Sequence, residues 1–231
     1  MKISKKTFDI LKNFSGIRSS IYVDKGSVIR TVSTAKNIMA EAKVDENFPN
    51  PFAIYDLGEF IAAASVFSET DYNFGDKCVV LDSQKGGEIP YLYADEKSLV
   101  MRELIANATR TIKMPELSAE FELSSNQIAE VQKIASVLRL DTLCIKPNLP
   151  VGGIEIVAFD RKIGLNSASN TYKVRIKAKS VNTSGSVYID IELLKMLTDD
   201  YVVEIGGSAV AKFTGTKNGV TYWIALRPET K

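Results

Sequence analysis

The sequence contains no histidine, two cysteines and one tryptophan in 231 residues. Without an imidazole, neither a Ser-His-Asp nor a Cys-His nucleophile can be assembled, and no zinc site can draw on histidine. Cys78 and Cys144 do not form a C-x-x-C pair, and each stands in an apolar stretch. They read as reduced thiols in strands of a cytosolic protein. No D-x-D, D-G-x-E or EF-hand spacing occurs, nor does G-x-x-x-x-G-K-[ST] or G-x-G-x-x-G. No metal or nucleotide cofactor is therefore expected. The Gly-Gly pairs at 86–87, 152–153 and 206–207 suit hairpin turns better than phosphate loops. No window reaches the ~18–20 uncharged apolar residues of a membrane span. The opening Met1-Lys2-Ile3-Ser4-Lys5-Lys6 leads into an amphipathic pattern, so no signal peptide is expected.

What is present is ordinary globular composition, with 45% hydrophobic and 25% charged residues. The length allows one large domain or two of roughly 100–120 residues. The net charge of +1 conceals segregation. Residues 1–43 carry nine basic side chains against three acidic ones, whereas residues 45–76 carry seven acidic side chains and no basic one. Such polarity lets one face hold a polyanion while another repels it.

A short amphipathic helix occurs twice, at residues 3–17 and 123–137. Apolar residues match at Ile3/Leu123, Phe8/Ile128, Leu11/Val131, Phe14/Ile134 and Ile17/Val137. Ser4 and Ser124 stand at the two N-cap positions, where a hydroxyl accepts from free backbone N–H groups. Two further helices are expected, at 56–67 and 190–197, each opened by Asp (Asp56, Asp190). Both helices of the first half thus have counterparts in the second, in the same order. Most of the remainder alternates apolar and polar residues as half-buried strands do, at 20–23, 78–81, 142–145, 154–157, 172–179, 201–205, 209–213 and 220–226. The last two form a hairpin about Asn218-Gly219. The fold class is therefore α+β, with two tandem similar domains and antiparallel sheets. The N-terminal domain is expected over 1–110, a connector over 111–118 and the C-terminal domain over 119–231.

At 100° per residue, Ser4, Phe8, Leu11 and Phe14 define the buried side of the first helix, opposite Lys2, Lys5, Asp9, Lys12 and Gly16. The exposed side of the second copy carries Ser125, Ala129, Gln132, Lys133 and Ser136. That of the helix at 190 carries Glu192, Lys195 and Asp199, and that of the helix at 56 carries Gly58, Ala62 and Ser65. No aromatic or bidentate Arg/Asn pair suited to base edges stands on these faces. They can serve as plain solvated surfaces, as such faces usually do. They can also touch phosphates without sequence preference, since duplex DNA offers about one charge per ~1.7 Å of axis. Lys173, Arg175, Lys177 and Lys179 alternate along one strand and mark its solvent side.

The opening Met1-Lys2-Ile3-Ser4-Lys5 with Leu11-Lys12-Asn13-Phe14 resembles the sliding clamps of T-even-type bacteriophages. So do Phe52-Ala53-Ile54-Tyr55-Asp56-Leu57 with Phe60, Val137-Leu138-Arg139-Leu140-Asp141-Thr142, and Tyr222-Trp223-Ile224-Ala225-Leu226. The resemblance runs over most of the chain and is weakest at 24–50 and 74–118. It implies a DNA-clamp fold in a homotrimeric ring, with helices lining the interior and sheets outside. Such a ring encircles duplex DNA without sequence specificity and tethers the phage replicative polymerase. It is loaded by a clamp-loader ATPase complex, supports late transcription through late-transcription factors, and works in the cytoplasm of the infected bacterial host. No enzymatic activity, cofactor or membrane is implied. On this reading Lys5, Lys12, Lys133 and Lys195 face DNA, with Lys2 and Arg139 as secondary contacts. The partner-peptide pocket beside the connector and the C-terminal strand falls on Met114, Pro115, Leu117, Leu226 and Pro228, with Leu117 and Leu226 equally open to being plain core. The alternatives are a structural phage protein with duplicated α+β domains and, least favoured, a carboxylate-dependent hydrolase.

Overall fold

The computed structural model describes residues 1–95, 114–148, 152–166 and 169–227. The chain divides into two compact units, Met1–Ile112 and Lys113–Lys231. In the first, α1 (Lys5–Ser15) precedes β1 (Ile21–Val23), β2 (Gly26–Val32), β3 (Ile38–Phe48) and β4 (Phe52–Ile54). Next come α2 (Leu57–Ala64), β5 (Thr70–Phe74), β6 (Cys78–Ser83) and β7 (Glu88–Leu92). β1 pairs with β4, β2 with β3, and β6 lies between β5 and β7, all antiparallel. α1 lies against α2 and β3. Aromatic rings fill the space beneath α2. Phe60 meets Tyr91 edge-on at 5.2 Å between centroids, and Phe48, Phe52 and Phe74 pack within 5.0–5.6 Å of one another.

The second unit contains β8 (Leu117–Leu123), α3 (Ser125–Leu138), β9 (Thr142–Asn148), β10 (Gly153–Phe159) and β11 (Tyr172–Val181). These are followed by β12 (Val187–Asp190), a 3-10 turn (Ile191–Leu193), β13 (Tyr201–Gly206), β14 (Val210–Gly215) and β15 (Val220–Ala225). Its strands run in the order β12-β9-β10-β11-β8-β13-β14-β15, antiparallel throughout. Arg227, just past β15, bridges back to Tyr188 of β12 with backbone hydrogen bonds of 2.9 and 3.1 Å. The chain just past β15 is thereby tied to β12, and the unit's core includes Tyr201, Phe213 and Tyr222. α3 packs on β10 and β11.

Every strand expected from alternation is present. Gly86 and Gly207 occupy the left-handed region (φ +88° and +56°) in the β6–β7 and β13–β14 turns. Both thiols are free and lie in strands, Cys144 buried and Cys78 half-buried. β8 begins at Leu117, two residues inside the span expected to be connector. Residues 111–113 of that connector lie outside the described residues.

Two expectations fail. The helix at 190–197 is a single 3-10 turn. Asp190 does not cap it, because its carboxylate is held by Arg227 at 2.5 Å and Arg161 at 3.7 Å. Asp199, assigned to that helix's exposed side, is 5% exposed. It accepts from the backbone N–H groups of Lys217 and Asn218 and orders the β14–β15 turn. The buried side of α1 also differs, comprising Thr7, Ile10, Leu11 and Phe14, with Phe8 and Ser4 only half-buried. In α3 the buried set is Ile128, Val131 and Ala135. Each helix, within its own unit, therefore buries a different face of the matched pattern, offset by about one residue, roughly 100°.

Candidate nucleic-acid interface

Both long helices start in the same way and are held by different means. Ser4 Oγ accepts from the N–H of Thr7 at 3.2 Å, and Ser124 Oγ accepts from the N–H of Gln127 at 3.3 Å. In α3 the Gln127 side chain closes a capping box by accepting from the N–H of Ser124 at 2.9 Å. In α1 the equivalent third position is Thr7, which is too short to reach back. Glu46 of β3 supplies the missing acceptor, taking the N–H of Ser4 and the hydroxyl of Thr7. Burial pushes the Glu46 carboxyl up, but the hydrogen bonds from Thr7 and Ser4 outweigh it, and its pKa ends below the ordinary carboxylate value. α3 has a carboxylate of its own, Asp200, which accepts from the N–H of Ser125 at 2.8 Å. That hydrogen bond is the main reason the Asp200 pKa is lowered. Negative charge at each N-terminus also complements the helix dipole.

These anchors present the cations. Lys5, Lys6 and Lys12 are exposed on α1, as is Lys133 on α3, and none has an ion-pair partner among the described residues. Lys6 was not assigned from the helical wheel. On α3 the outermost positions include Asn126, Ala129, Lys133 and Ser136. Gln132 instead turns inward and donates to the carbonyl of Leu194 at 2.6 Å. Arg139 ends α3 in the left-handed conformation (φ 56°, ψ 42°), a position that favours glycine. The N–H of Leu140 reaches the Ala135 carbonyl at 2.8 Å, and Leu140 is buried, so the turn holds Arg139 outward. Lys195 is exposed, on the loop after the 3-10 turn and not on a helix. Lys2 is bound at 2.7 Å to Glu69, whose hydrogen bond raises the Lys2 pKa. Both side chains are exposed, so this surface pair competes with any phosphate contact by Lys2. α2 exposes Gly58, Ala62 and Ser65 as expected, with Asp56 capping Glu59 at 2.9 Å.

Of the five expected pocket residues, four gather at one end of β8, β13 and β14. Leu117 pairs with Gly206, and a Cβ on Gly206 would lie 2.7 Å from Pro115 and 3.0 Å from Met114. The N–H of Leu226 donates to the carbonyl of Ala209 at 2.9 Å. Leu226 is buried and belongs to the core, whereas Met114, Pro115 and Leu117 keep accessible surface. Pro228 lies outside the described residues. Tyr222 is buried and Trp223 half-buried.

Capped helices over antiparallel sheets, one such set in each half of the chain, define a protein of the DNA-clamp fold. The structure of A. fulgidus PCNA bound to the C-terminal region of FEN-1 matches with a TM-score of 0.70 at 13% identity, over 97% of this chain and 96% of that one. The description of the DNA polymerase processivity factor family matches residues 2–114. The sliding clamp of Vibrio phage KVP40 is 29% identical over 228 residues, covering 97% of this chain and 98% of that protein. The sliding clamp of Enterobacteria phage T4 is 24% identical over 238 residues, covering 100% and 98%. Over its whole length the chain is similar to the T4-type phage sliding clamps, which are processivity factors and not enzymes.

Proposed function

We propose that three copies of this chain close a ring around duplex DNA and tether the phage replicative polymerase. The observation that carries the reading is the set of exposed cations on the two capped helices, Lys5 and Lys12 on α1 and Lys133 on α3, which have no ion-pair partner among the described residues, in a chain of clamp fold. A topological tether needs weak contact, because a closed ring is retained without affinity. A few screened Lys–phosphate contacts suit sliding better than a dense arginine patch. Arg139 and Lys195 add to this charge from turns, and Lys2 contributes little while paired to Glu69.

Closure into a trimer is supported by an open strand edge. β11 pairs with β10 along residues 172–177 and meets β8 only from Ala178 onward. Its first half therefore offers unpaired backbone to another copy among the described strands. Val137 (74% exposed) and Ile163 (51%) supply apolar surface in the same unit. Polymerase, clamp-loader and late-transcription peptides would dock at Met114, Pro115 and Leu117. The setting is the infected cell.

The deciding experiment compares processive synthesis on circular and linear primed DNA. A clamp stays on the circle and runs off the linear end; equal retention on both would remove the topological reading. Light scattering after size exclusion tests the trimer. Lys5→Glu with Lys12→Glu should lower loading and leave the fold intact, and unchanged loading would exclude these lysines.

A further inference from the structure

We propose that the outward face of the β5-β6-β7 sheet docks a protein segment carrying an aliphatic or aromatic side chain followed by lysine or arginine. The strand register places Asp71 opposite Asp82, and Asp82 opposite Glu88. Three carboxylates thus stand abreast across three strands on one face. None is ion-paired among the described residues; Lys2, which also feels the charge of Asp71, is bound to Glu69. Like charges directly opposite one another weaken a sheet. A cationic partner removes that repulsion, so the row is complementary to lysine or arginine and repels nucleic acid.

Beside this row the same face turns apolar. The next positions along the strands are Asn73, Val80 and Pro90, followed by Cys78 and Leu92. A groove of about 480 Å³ opens along β5 at this end of the sheet, where Cys78 and Val80 of the outward face meet Met1, Pro49 and the core-side Tyr72 and Phe74. Its size is that of a pocket for one large side chain with its backbone. The opposite face of the sheet is core, since Tyr72 and Tyr91 touch Phe60 of α2. An apolar anchor in the groove sets the segment's next residues over the carboxylate row. No three of these side chains can hold a metal ion among the described residues. The surface is distinct from the cationic helix faces and from the Met114, Pro115 and Leu117 cluster.

The test uses the full-length protein and two labelled peptides, Leu-Phe-Ser-Lys-Arg-Lys and its acidic twin Leu-Phe-Ser-Glu-Asp-Glu. Binding is read by fluorescence anisotropy. Occupancy of the groove is read by iodoacetamide modification of Cys78, with buried Cys144 as the internal control. The basic peptide should bind and slow Cys78 modification, and the acidic twin should do neither. The variant D71N/D82N/E88Q removes only repulsion, so it folds, and it should weaken the basic peptide about tenfold, as three screened contacts of roughly half a kcal/mol each would. The proposal is overturned if the basic peptide leaves Cys78 unprotected, if both peptides act alike, or if the triple variant binds like wild type. Protection by duplex DNA, or by raised protein concentration alone, would assign the groove to another occupant and equally overturn it.

Discussion

Glu46→Gln should loosen α1 without altering its shape. Glu46 is 8% exposed and accepts from the N–H of Ser4 and the hydroxyl of Thr7. Hydrogen bonds to a charged acceptor contribute about 1.5–3 kcal/mol and those to a neutral one about 0.5–1.5. The amide therefore loses about 1 kcal/mol at each of the two donors. Removal of negative charge from the helix N-terminus adds about 0.5 kcal/mol. The total is roughly 2.5 kcal/mol, and at about 4 °C per kcal/mol for a unit of this size the melting temperature falls by roughly 10 °C. The pH dependence is the sharper test. The folded pKa of Glu46 is lowered, so its stabilisation is fully present above the unfolded carboxylate value of about 4.3. It is lost as pH falls through the folded value, where the wild-type side chain becomes neutral as well. Wild type and variant should therefore differ most at neutral pH and converge on acidification, by denaturant titration at a series of pH values. A difference below about 0.5 kcal/mol at neutral pH, or one that persists unchanged in acid, would refute this account of how α1 is held.

Arg139→Gly should stabilise the second unit by roughly 1 kcal/mol, because glycine adopts the left-handed conformation without strain. The same change should weaken DNA loading, so calorimetry and loading move in opposite directions. Replacing Lys5 and Lys12 with neutral residues should make the slope of log binding constant against log salt shallower by about 1.8 if both touch duplex phosphates; an unchanged slope would show that they do not. Asp199→Ala should free the N–H groups of Lys217 and Asn218 and cost about 2 kcal/mol, with faster amide exchange confined to the β14–β15 turn as its signature. Val137→Asp with Ile163→Asp should leave melting of the isolated chain intact while light scattering reports loss of the oligomer.

Legibility followed range. The Ser124 and Gln127 capping box is three residues long and was half visible as a capping serine, and the Asn218-Gly219 turn carries its own φ preference. β2 and β3 were not identified, although β3 alternates buried and exposed positions along most of its length. The hidden signal there was Glu46, an acidic residue on an inward position of that alternation. Counted as surface charge, it concealed both the strand and the helix anchor. The fourth helix failed for the converse reason. An Asp before an apolar run is a helix start only when its carboxylate is free to cap, and two arginines from distant segments claim Asp190. Among the candidate site residues, the exposure of Lys5, Lys12 and Lys133 was legible because exposure opposite an apolar stripe is periodic. For Leu226 the sequence left core and pocket equally open, since burial there depends on where the chain returns after β15.

The sequence by itself determined where the two long helices begin, that an alternating antiparallel scaffold surrounds each, and that no imidazole chemistry is available. These are properties of neighbours within a few residues, where propensity, capping and periodicity act. Only the tertiary structure decided which faces of the helices are buried, which carboxylates are spent as anchors, and that Asp71, Asp82 and Glu88 stand in one row. Those outcomes rest on contacts between residues such as Ser4 and Glu46, 42 positions apart. Their energy is realised only after the chain has closed the intervening loop, so no local pattern encodes them.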